Sequence, residues 1–374
     1  MRIAFDATPL REPRTGVPQT VHELLGALPD DVDMVPYVPS GRALLARARR
    51  RPVGLPEGTR LLPVPARVLM RAWSRTDRPA ADRWLGDADV VHGTNFVVPP
   101  MRRRPTTVTV HDCWCARHPE HCLPERAAFT TLVRRAVDRG AWVHVSTEYM
   151  AAEVAEIYGA HERVAVVPFG VPPVELAGDG GDTDLPAALR GRPFALALGT
   201  IDPRKAYDAL VRAFALAVAD GRVEDLALVV AGPDGPGRPA LDAAVGALPA
   251  SVRSRVLVLG WVSDAGRRAL LARATVLAYP SISEGFGFPV LEAMAAGVPV
   301  VATAAGSVPE VAGEGAELVA VGDDDALGDA LARVVGDERL RARLVATGRA
   351  RAATFTWQRT AAGMVELWER AVAQ

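Results

Sequence analysis

The rhythm of the second half of the chain constrains its fold most. Six short apolar runs rich in β-branched residues fall at 194–199, 226–232, 255–262, 275–280, 299–303 and 316–321. Stretches of helical pattern lie between them at 205–219, 239–248, 264–274, 289–296 and 308–312. Runs that are apolar throughout belong to strands covered on both faces, and helices between such strands make them parallel. The runs end in Gly, Pro or Ser, which puts the expected ligand positions in the turns after the strands.

The first half repeats this rhythm less regularly. Strands are expected at 2–7, 33–38, 88–93, 106–111, 142–146 and 164–168, and helices at 18–28, 126–139 and 147–158. Residues 171–193, rich in Gly, Pro and Asp, read as a linker. An amphipathic stretch at Trp357–Val372 follows the last repeat, with Trp357, Val365, Leu367 and Trp368 as its expected buried face. At 374 residues the chain accommodates two such domains.

Composition narrows the classes. No run of eighteen apolar residues is present, so no membrane-spanning helix is expected, and the first ten residues read as a strand and not as a signal peptide. A formal net charge of −1 excludes a globally basic nucleic-acid binder. Three Cys argue against a disulfide framework and for a reducing cytoplasm. Of 43 basic residues only Lys205 is Lys, and Asn95 is the only Asn, as a GC-rich coding bias would produce. The basic residues are uneven: residues 42–84 hold eleven Arg against Glu57, Asp77 and Asp82. With Arg102, Arg103 and Arg104 this reads as an acceptor-side surface for an anionic acceptor or an acidic membrane, or as a solvated face.

Two segments carry chemistry on their own terms. SISEGFGFPVLEAMAAG, residues 281–297, leads from a strand through a Gly-rich loop into a helix opened by Pro289. Gly285 and Gly287 let backbone approach a ligand, and the helix N-terminus attracts an anion. Glu284 and Glu292 can accept hydrogen bonds from sugar hydroxyls there; Glu284, in a loop, is expected to support no core. In GTIDPRK, residues 199–205, Arg204 and Lys205 open the next helix. A forked guanidinium beside a compact ammonium suits a diphosphate. His111 follows a buried strand, with Asp112 orienting the loop or that ring. Cys113, Cys115 and Cys122 lie near His111, His118 and His121, but C-x-C-x6-C fits no zinc pattern and the three read as core or loop thiols.

The segment at 281–297 resembles the E-x7-E region of retaining glycosyltransferase family four. Four more segments resemble that family in order: residues 15–17 with Gly16, TVHD at 109–112, GTIDPRK at 199–205, and the turn 260–262. The resemblance covers nearly the whole chain. It implies an α/β chain of GT-B fold, two doubly wound Rossmann-like domains facing across a cleft. Residues 1–172 would form the acceptor-side domain and 173–352 the nucleotide-sugar domain, with 353–374 crossing back to the first.

That resemblance also implies an activity: transfer of a sugar from a nucleotide-diphosphate sugar to a hydroxyl acceptor, with retention. His111, Glu284, Arg204 and Lys205 would be catalytic, His111 contacting the donor sugar or reaction centre and Glu284 orienting the donor sugar. Gly16, Gly199, Val262, Gly285, Phe286, Gly287, Phe288 and Glu292 would line the donor site, Glu292 at the ribose hydroxyls. No D-x-D pair stands at a strand end, so no metal and no cofactor beyond the donor is expected. With no residue nominated as covalent nucleophile, front-face attack is the expected course. A GDP-sugar is the favoured donor, with UDP- and dTDP-sugars as alternatives. The rival readings are a nucleotide-sugar 2-epimerase of the same fold and a non-catalytic nucleotide-sugar-binding subunit. The expected location is cytoplasmic, with peripheral contact at an anionic acceptor or the inner membrane face.

Overall fold

The computed structural model describes residues 1–12, 16–40, 54–171, 185–223 and 225–374. Contacts divide the chain into two units, Met1–Gly170 with Thr356–Gln374, and Val171–Phe355.

The first unit runs β1 (Arg2–Asp6), α1 (Val17–Ala27), β2 (Asp33–Pro39), β3 (Arg60–Leu62), α2 (Ala66–Trp73), α3 (Asp82–Leu85), β4 (Val90–Gly93), β5 (Thr106–Thr109), α4 (Trp114–Arg117), α5 (Pro124–Asp138), β6 (Trp142–Val145), α6 (Glu148–Tyr158) and β7 (Val164–Val166). Its strands form one sheet in the order β3-β2-β1-β4-β5-β6-β7, every neighbour parallel. Alternate residues of β1 serve opposite faces: Ala4 joins Tyr37, Val91, Val108 and Val143 on one, and Phe5 joins Val21 and Val38 on the other.

The second unit runs β8 (Phe194–Leu198), α7 (Tyr207–Ala219), β9 (Ala227–Ala231), α8 (Arg238–Gly246), α9 (Ala250–Arg253), β10 (Val256–Gly260), α10 (Asp264–Arg273), β11 (Val276–Tyr279), α11 (Phe288–Ala296), β12 (Val300–Thr303), α12 (Val308–Ala312), β13 (Ala316–Val319), α13 (Asp324–Gly336) and α14 (Glu338–Ala352). Its parallel sheet has the order β10-β9-β8-β11-β12-β13. Strands β8, β9, β11 and β12 are buried from end to end, as their unbroken apolar runs require.

The last helix, α15 (Trp357–Val372), packs on α1 and on β4, β5 and β6 of the first unit. Trp357, Thr360, Ala361, Met364, Leu367, Trp368 and Ala371 are buried, the spacing of one helical face. Val365 is only half-buried, one position off that face, and Met364 takes the place expected for it.

Both sheets change direction at one place, between β1 and β4 in the first and between β8 and β11 in the second. The carboxyl ends of the strands flanking such a switch point open a crevice that helices cannot fill, which is where doubly wound folds bind ligands. The loops after β8 and β11 are the two charged segments singled out in the sequence.

Candidate active site

After β8 the chain passes Gly199 and makes a single 3-10 turn at Pro203–Lys205, capped by the Asp202 carboxylate on the Arg204 amide at 3.2 Å. Ala206 then takes φ +47°, and α7 begins at Tyr207 and not at Lys205 as expected. The reversal turns the Lys205 side chain inward, so the only Lys of the chain is 7% exposed. Its ammonium donates to Glu284 Oε1 at 2.5 Å and to Tyr279 Oη at 2.7 Å, and lies 4.6 Å from the centre of the Tyr279 ring. Arg204 Nη1 approaches Glu284 Oε2 and the Ser283 carbonyl, both at 3.5 Å.

The loop after β11 is braced from three sides. The Ile282 amide donates to Arg204 O at 2.8 Å, joining the two loops of the switch point. Thr303 Oγ1 donates to Ser281 O, and Ser307 donates through its hydroxyl to Gly285 O and through its amide to Glu284 O, both at 3.0 Å. Gly306 sits at φ +55° with no room for a side chain, since a Cβ there would lie 2.4 Å from Glu284 O. Gly287, at φ +91°, caps α11, whose first turn holds Pro289. The Phe286 ring is buried against Phe288 and Phe355, with centroids at 4.9 and 5.9 Å.

Burial pushes the Glu284 carboxyl up, but Lys205 and Arg204 outweigh it and hold the group below its ordinary value. Burial pulls the Lys205 ammonium down, opposed by Glu284. The result is an ionised carboxylate with two cations beside it, next to a helix N-terminus. Glu292, in the second turn of α11, is buried and ion-paired with Arg267 of α10. At the end of β10, Gly260 turns the chain at φ +68°, Trp261 is 66% exposed and Val262 is half-buried.

The first unit has its own cluster at its switch point. Asp6, after which β1 ends, accepts from the Thr8 amide at 2.9 Å and hydroxyl at 2.5 Å, and burial raises its carboxyl to about 6. Thr94, following β4, donates its hydroxyl to Asp6 O at 2.7 Å. His111 lies two residues beyond β5, which ends at Thr109 and not at residue 111. Its Nε2 donates to Thr94 O at 2.9 Å; because a carbonyl only accepts, the proton is on Nε2 and Nδ1 keeps its lone pair. Phe169 stacks on the ring at 5.8 Å, and burial lowers its pKa against the opposing pull of the Thr94 bond and Asp112. Asp112 Oδ1 accepts from the Trp114 amide at 3.1 Å and so organises the loop. Beneath lies a buried string in which Thr107 bonds His92 Nδ1 at 2.8 Å, and Thr109 bonds His144 Nδ1 at 2.9 Å, with His144 Nε2 donating to Val167 O. Gly16 is the N-cap of α1; Thr15, just before it, lies outside the described residues.

One cysteine expectation is corrected. Cys115, within α4, and Cys122 are joined in a disulfide, and only Cys113, buried, is a free thiol. A six-residue spacer folded back by Pro119 brings the two together, a proximity that residue count alone does not reveal. Among the described residues no group of three or more His, Cys, Asp or Glu is placed to hold a metal ion.

Comparison with known proteins agrees with this architecture. The family described as Glycosyltransferase Family 4 matches residues 14–175, and that described as Glycosyl transferases group 1 matches residues 186–351. The O-antigen chain mannosyltransferase B of Escherichia coli is 27% identical over 389 residues, covering 96% of this chain and 97% of its own. A D-inositol 3-phosphate glycosyltransferase of Nocardia farcinica is 34% identical over 238 residues, covering 60% of this chain and 52% of its own. The solved structure of HepE from Anabaena in complex with UDP superposes with a TM-score of 0.69 at 17% identity, over 99% of each chain. The chain is a glycosyltransferase of GT-B fold.

In this glycosyltransferase the structure brings Arg204, Lys205 and Glu284 into one cluster, with Gly285, Phe286, Gly287 and Phe288 in the adjoining loop and helix start. Glu292 has a partner, Arg267, that no motif singled out, because Arg is common everywhere in this chain. Tyr279 was legible only as a residue near the end of a strand, yet it supplies the second acceptor for Lys205. Asp6, Thr94, His92 and His144 carried no signal beyond being polar residues near apolar runs. No helix among the described residues is long and apolar enough to cross a membrane.

Proposed function

We propose that this glycosyltransferase moves a sugar from a nucleotide-diphosphate sugar to a hydroxyl acceptor with retention at the anomeric carbon, without a divalent cation. The observation that carries the reading is the Arg204–Lys205–Glu284 cluster at the switch point, beside the N-terminus of α11. As the bond from the anomeric carbon to the diphosphate breaks, negative charge grows on the departing phosphate. A preorganised guanidinium and ammonium stabilise that charge more in the transition state than in the ground state. The acceptor hydroxyl oxygen bonds to the same face of the anomeric carbon, and its proton passes to the departing phosphate oxygen. Glu284 orients the donor sugar and holds Lys205 charged in a buried setting; Glu292, fixed by Arg267, receives the ribose hydroxyls. His111, neutral with its Nδ1 lone pair able to accept, is proposed to contact the donor sugar.

A GDP-sugar is the preferred donor, in line with the mannosyl transfer in the name of the Escherichia coli relative. UDP- and dTDP-sugars are the alternatives, and the HepE complex with UDP supports a nucleotide site in this fold. A cytoplasmic location goes with the reading and is checked by cell fractionation. The test of the reaction is product analysis. Incubation with GDP-mannose and a hydroxyl acceptor, in the presence of a chelator, is expected to give a product whose anomeric configuration by NMR equals that of the donor. An inverted product, or activity lost to chelator and restored by a divalent cation, would overturn it.

A further inference from the structure

Five arginines, Arg60, Arg83, Arg102, Arg103 and Arg104, line a concavity of about 700 Å³ in the first unit. Its place follows from the topology. Arg60 opens β3, and residues 102–104 lead into β5, which begins at Thr106. Because β3, β2, β1, β4 and β5 are all parallel, the concavity lies at their amino ends. Asp6, Thr94 and His111 lie at the carboxyl ends of the same sheet. At about 3.3 Å per residue, strands of four or five residues set the two edges on the order of 15 Å apart. The expectation of an acceptor-side surface is therefore revised for these arginines; residues 41–53, the densest part of the basic stretch, lie outside the described residues.

The acidic residues of the pocket are spent on its walls. Asp82 accepts from the Arg102 amide at 3.1 and 3.0 Å and from the Arg103 amide at 3.0 Å, pinning that segment to α3. Asp87 is held by both arms of Arg60, the Nη2 bond at 2.6 Å, and by Arg2 at 3.1 Å. Arg104 Nε donates to Gly86 O at 3.0 Å, and the Arg83 guanidinium lies 4.1 Å over the Trp84 ring. Among the described residues the side chains of Arg102 and Arg103 enter no hydrogen bond or ion pair, and both are exposed. Five cations against two carboxylates leave an excess of three positive charges around a cavity of ligand size. Guanidinium forks match phosphate oxygens bidentately, and one phosphate group cannot balance three charges.

We propose that this amino-edge pocket binds a ligand carrying two or more phosphate groups, at a site separate from the sugar-transfer centre. The same chemistry is offered by a soluble polyphosphorylated compound and by a cluster of anionic phospholipid headgroups. The proposal is independent of the donor-site reading, and its test uses no turnover.

The experiment is calorimetric titration of the full chain with tripolyphosphate, and sedimentation with phosphatidylglycerol vesicles against phosphatidylcholine controls. Parent and Arg102→Ala/Arg103→Ala chains are compared; any binding at Arg204 and Lys205 is common to both, so the difference isolates the pocket. Losing two charge-assisted contacts is expected to weaken binding by about tenfold or more, with the unfolding midpoint unchanged because neither side chain supports the fold. Raised salt is expected to weaken the parent more than the variant. Loss confined to tripolyphosphate identifies a soluble ligand, and loss confined to vesicles a headgroup cluster. Equal binding of both probes by parent and variant, or binding of neither probe by the parent, overturns the proposal.

Discussion

Lys205 and Glu284, 79 positions apart in the chain, meet at 2.5 Å across the switch point of the second sheet. Both are buried, and each belongs to a loop that a different strand delivers. The pair is thus a structural joint between β8 and β11 as well as the charged centre of the site. Glu284 lies in a loop, yet it is buried and ion-paired, so the expectation that it supports no core is open to test.

The Glu284→Ala variant is therefore expected to lose both activity and stability. Removing one partner leaves the other charge buried and uncompensated, with a cost of about 3–5 kcal/mol. Lys205→Met removes the ammonium and keeps its bulk. It is expected to lower kcat/KM by tenfold or more, about 1.5–4 kcal/mol of transition-state stabilisation. Denaturant unfolding and steady-state kinetics separate the two effects. A Glu284→Ala chain as stable as the parent would dissolve the joint, and a Lys205→Met chain of unchanged rate would remove Lys205 from the site.

Gly306 tests the joint without touching a charge. A Cβ there would meet Glu284 O at 2.4 Å and Glu284 N at 2.9 Å, at a φ of +55° that L side chains rarely adopt. Gly306→Ala is expected to destabilise by about 1–3 kcal/mol and to displace the Glu284 loop, lowering kcat with it. Activity equal to the parent's would mean that this loop's position does not matter.

Arg267→Ala addresses the neighbouring carboxylate. Glu292 would keep its place on α11 but lose its ion pair, freeing its rotamer. Donor KM is expected to rise by several-fold while kcat changes less, since a positioning contact acts in ground and transition states alike. A kcat defect at unchanged KM would count against that assignment.

Stability should fall on mild acidification. Burial lowers His92 to about 3 and His144 to about 4, and raises Asp6 to about 6. Unfolded histidine titrates at about 6.5 and aspartate at about 3.9. Below about pH 6.5 the unfolded chain takes up two protons at these histidines that the folded chain refuses, so stability drops. Below about pH 6 the folded Asp6 takes its proton before the unfolded one does, which offsets about one of the two. For these three groups the remainder is about one proton, on the order of 1 kcal/mol per pH unit between about pH 6 and 4. Urea midpoints at pH 7 and pH 5 measure it, and His144→Asn is expected to flatten the slope. A midpoint independent of pH would contradict the buried-histidine account.

The sheet of the second unit was legible because β8, β9, β11 and β12 are buried on both faces and read as unbroken apolar runs. β3 was not, because Arg60–Leu62 is a three-residue edge strand with one buried side chain. α13 and α14 went unread as well: exposed charged residues such as Arg333, Arg343 and Arg349 interrupt the apolar rows. The Arg204–Lys205 turn and the Glu284 loop stood out by residue type and neighbouring glycines. Their ion pair did not, since sequence carries no distance between residues so far apart. Tyr279 and Arg267 were hidden by ordinariness, one as a strand residue and one as a half-buried helical Arg. The Cys115–Cys122 bond ran against an argument from total cysteine count, which says nothing about two thiols brought together by a local turn.

The most direct measurement is donor binding, read as the rise in unfolding temperature of the parent and Lys205→Met chains with GDP-mannose, UDP-glucose and dTDP-glucose. A ligand present at about a hundred times its Kd raises stability by about 2.7 kcal/mol, which such a scan resolves. The account predicts a clear rise for the parent with one of these donors, GDP-mannose first, and little or none for Lys205→Met. An equal rise in both chains, or no rise in the parent with any of the three, would contradict the placing of the donor diphosphate at Arg204 and Lys205.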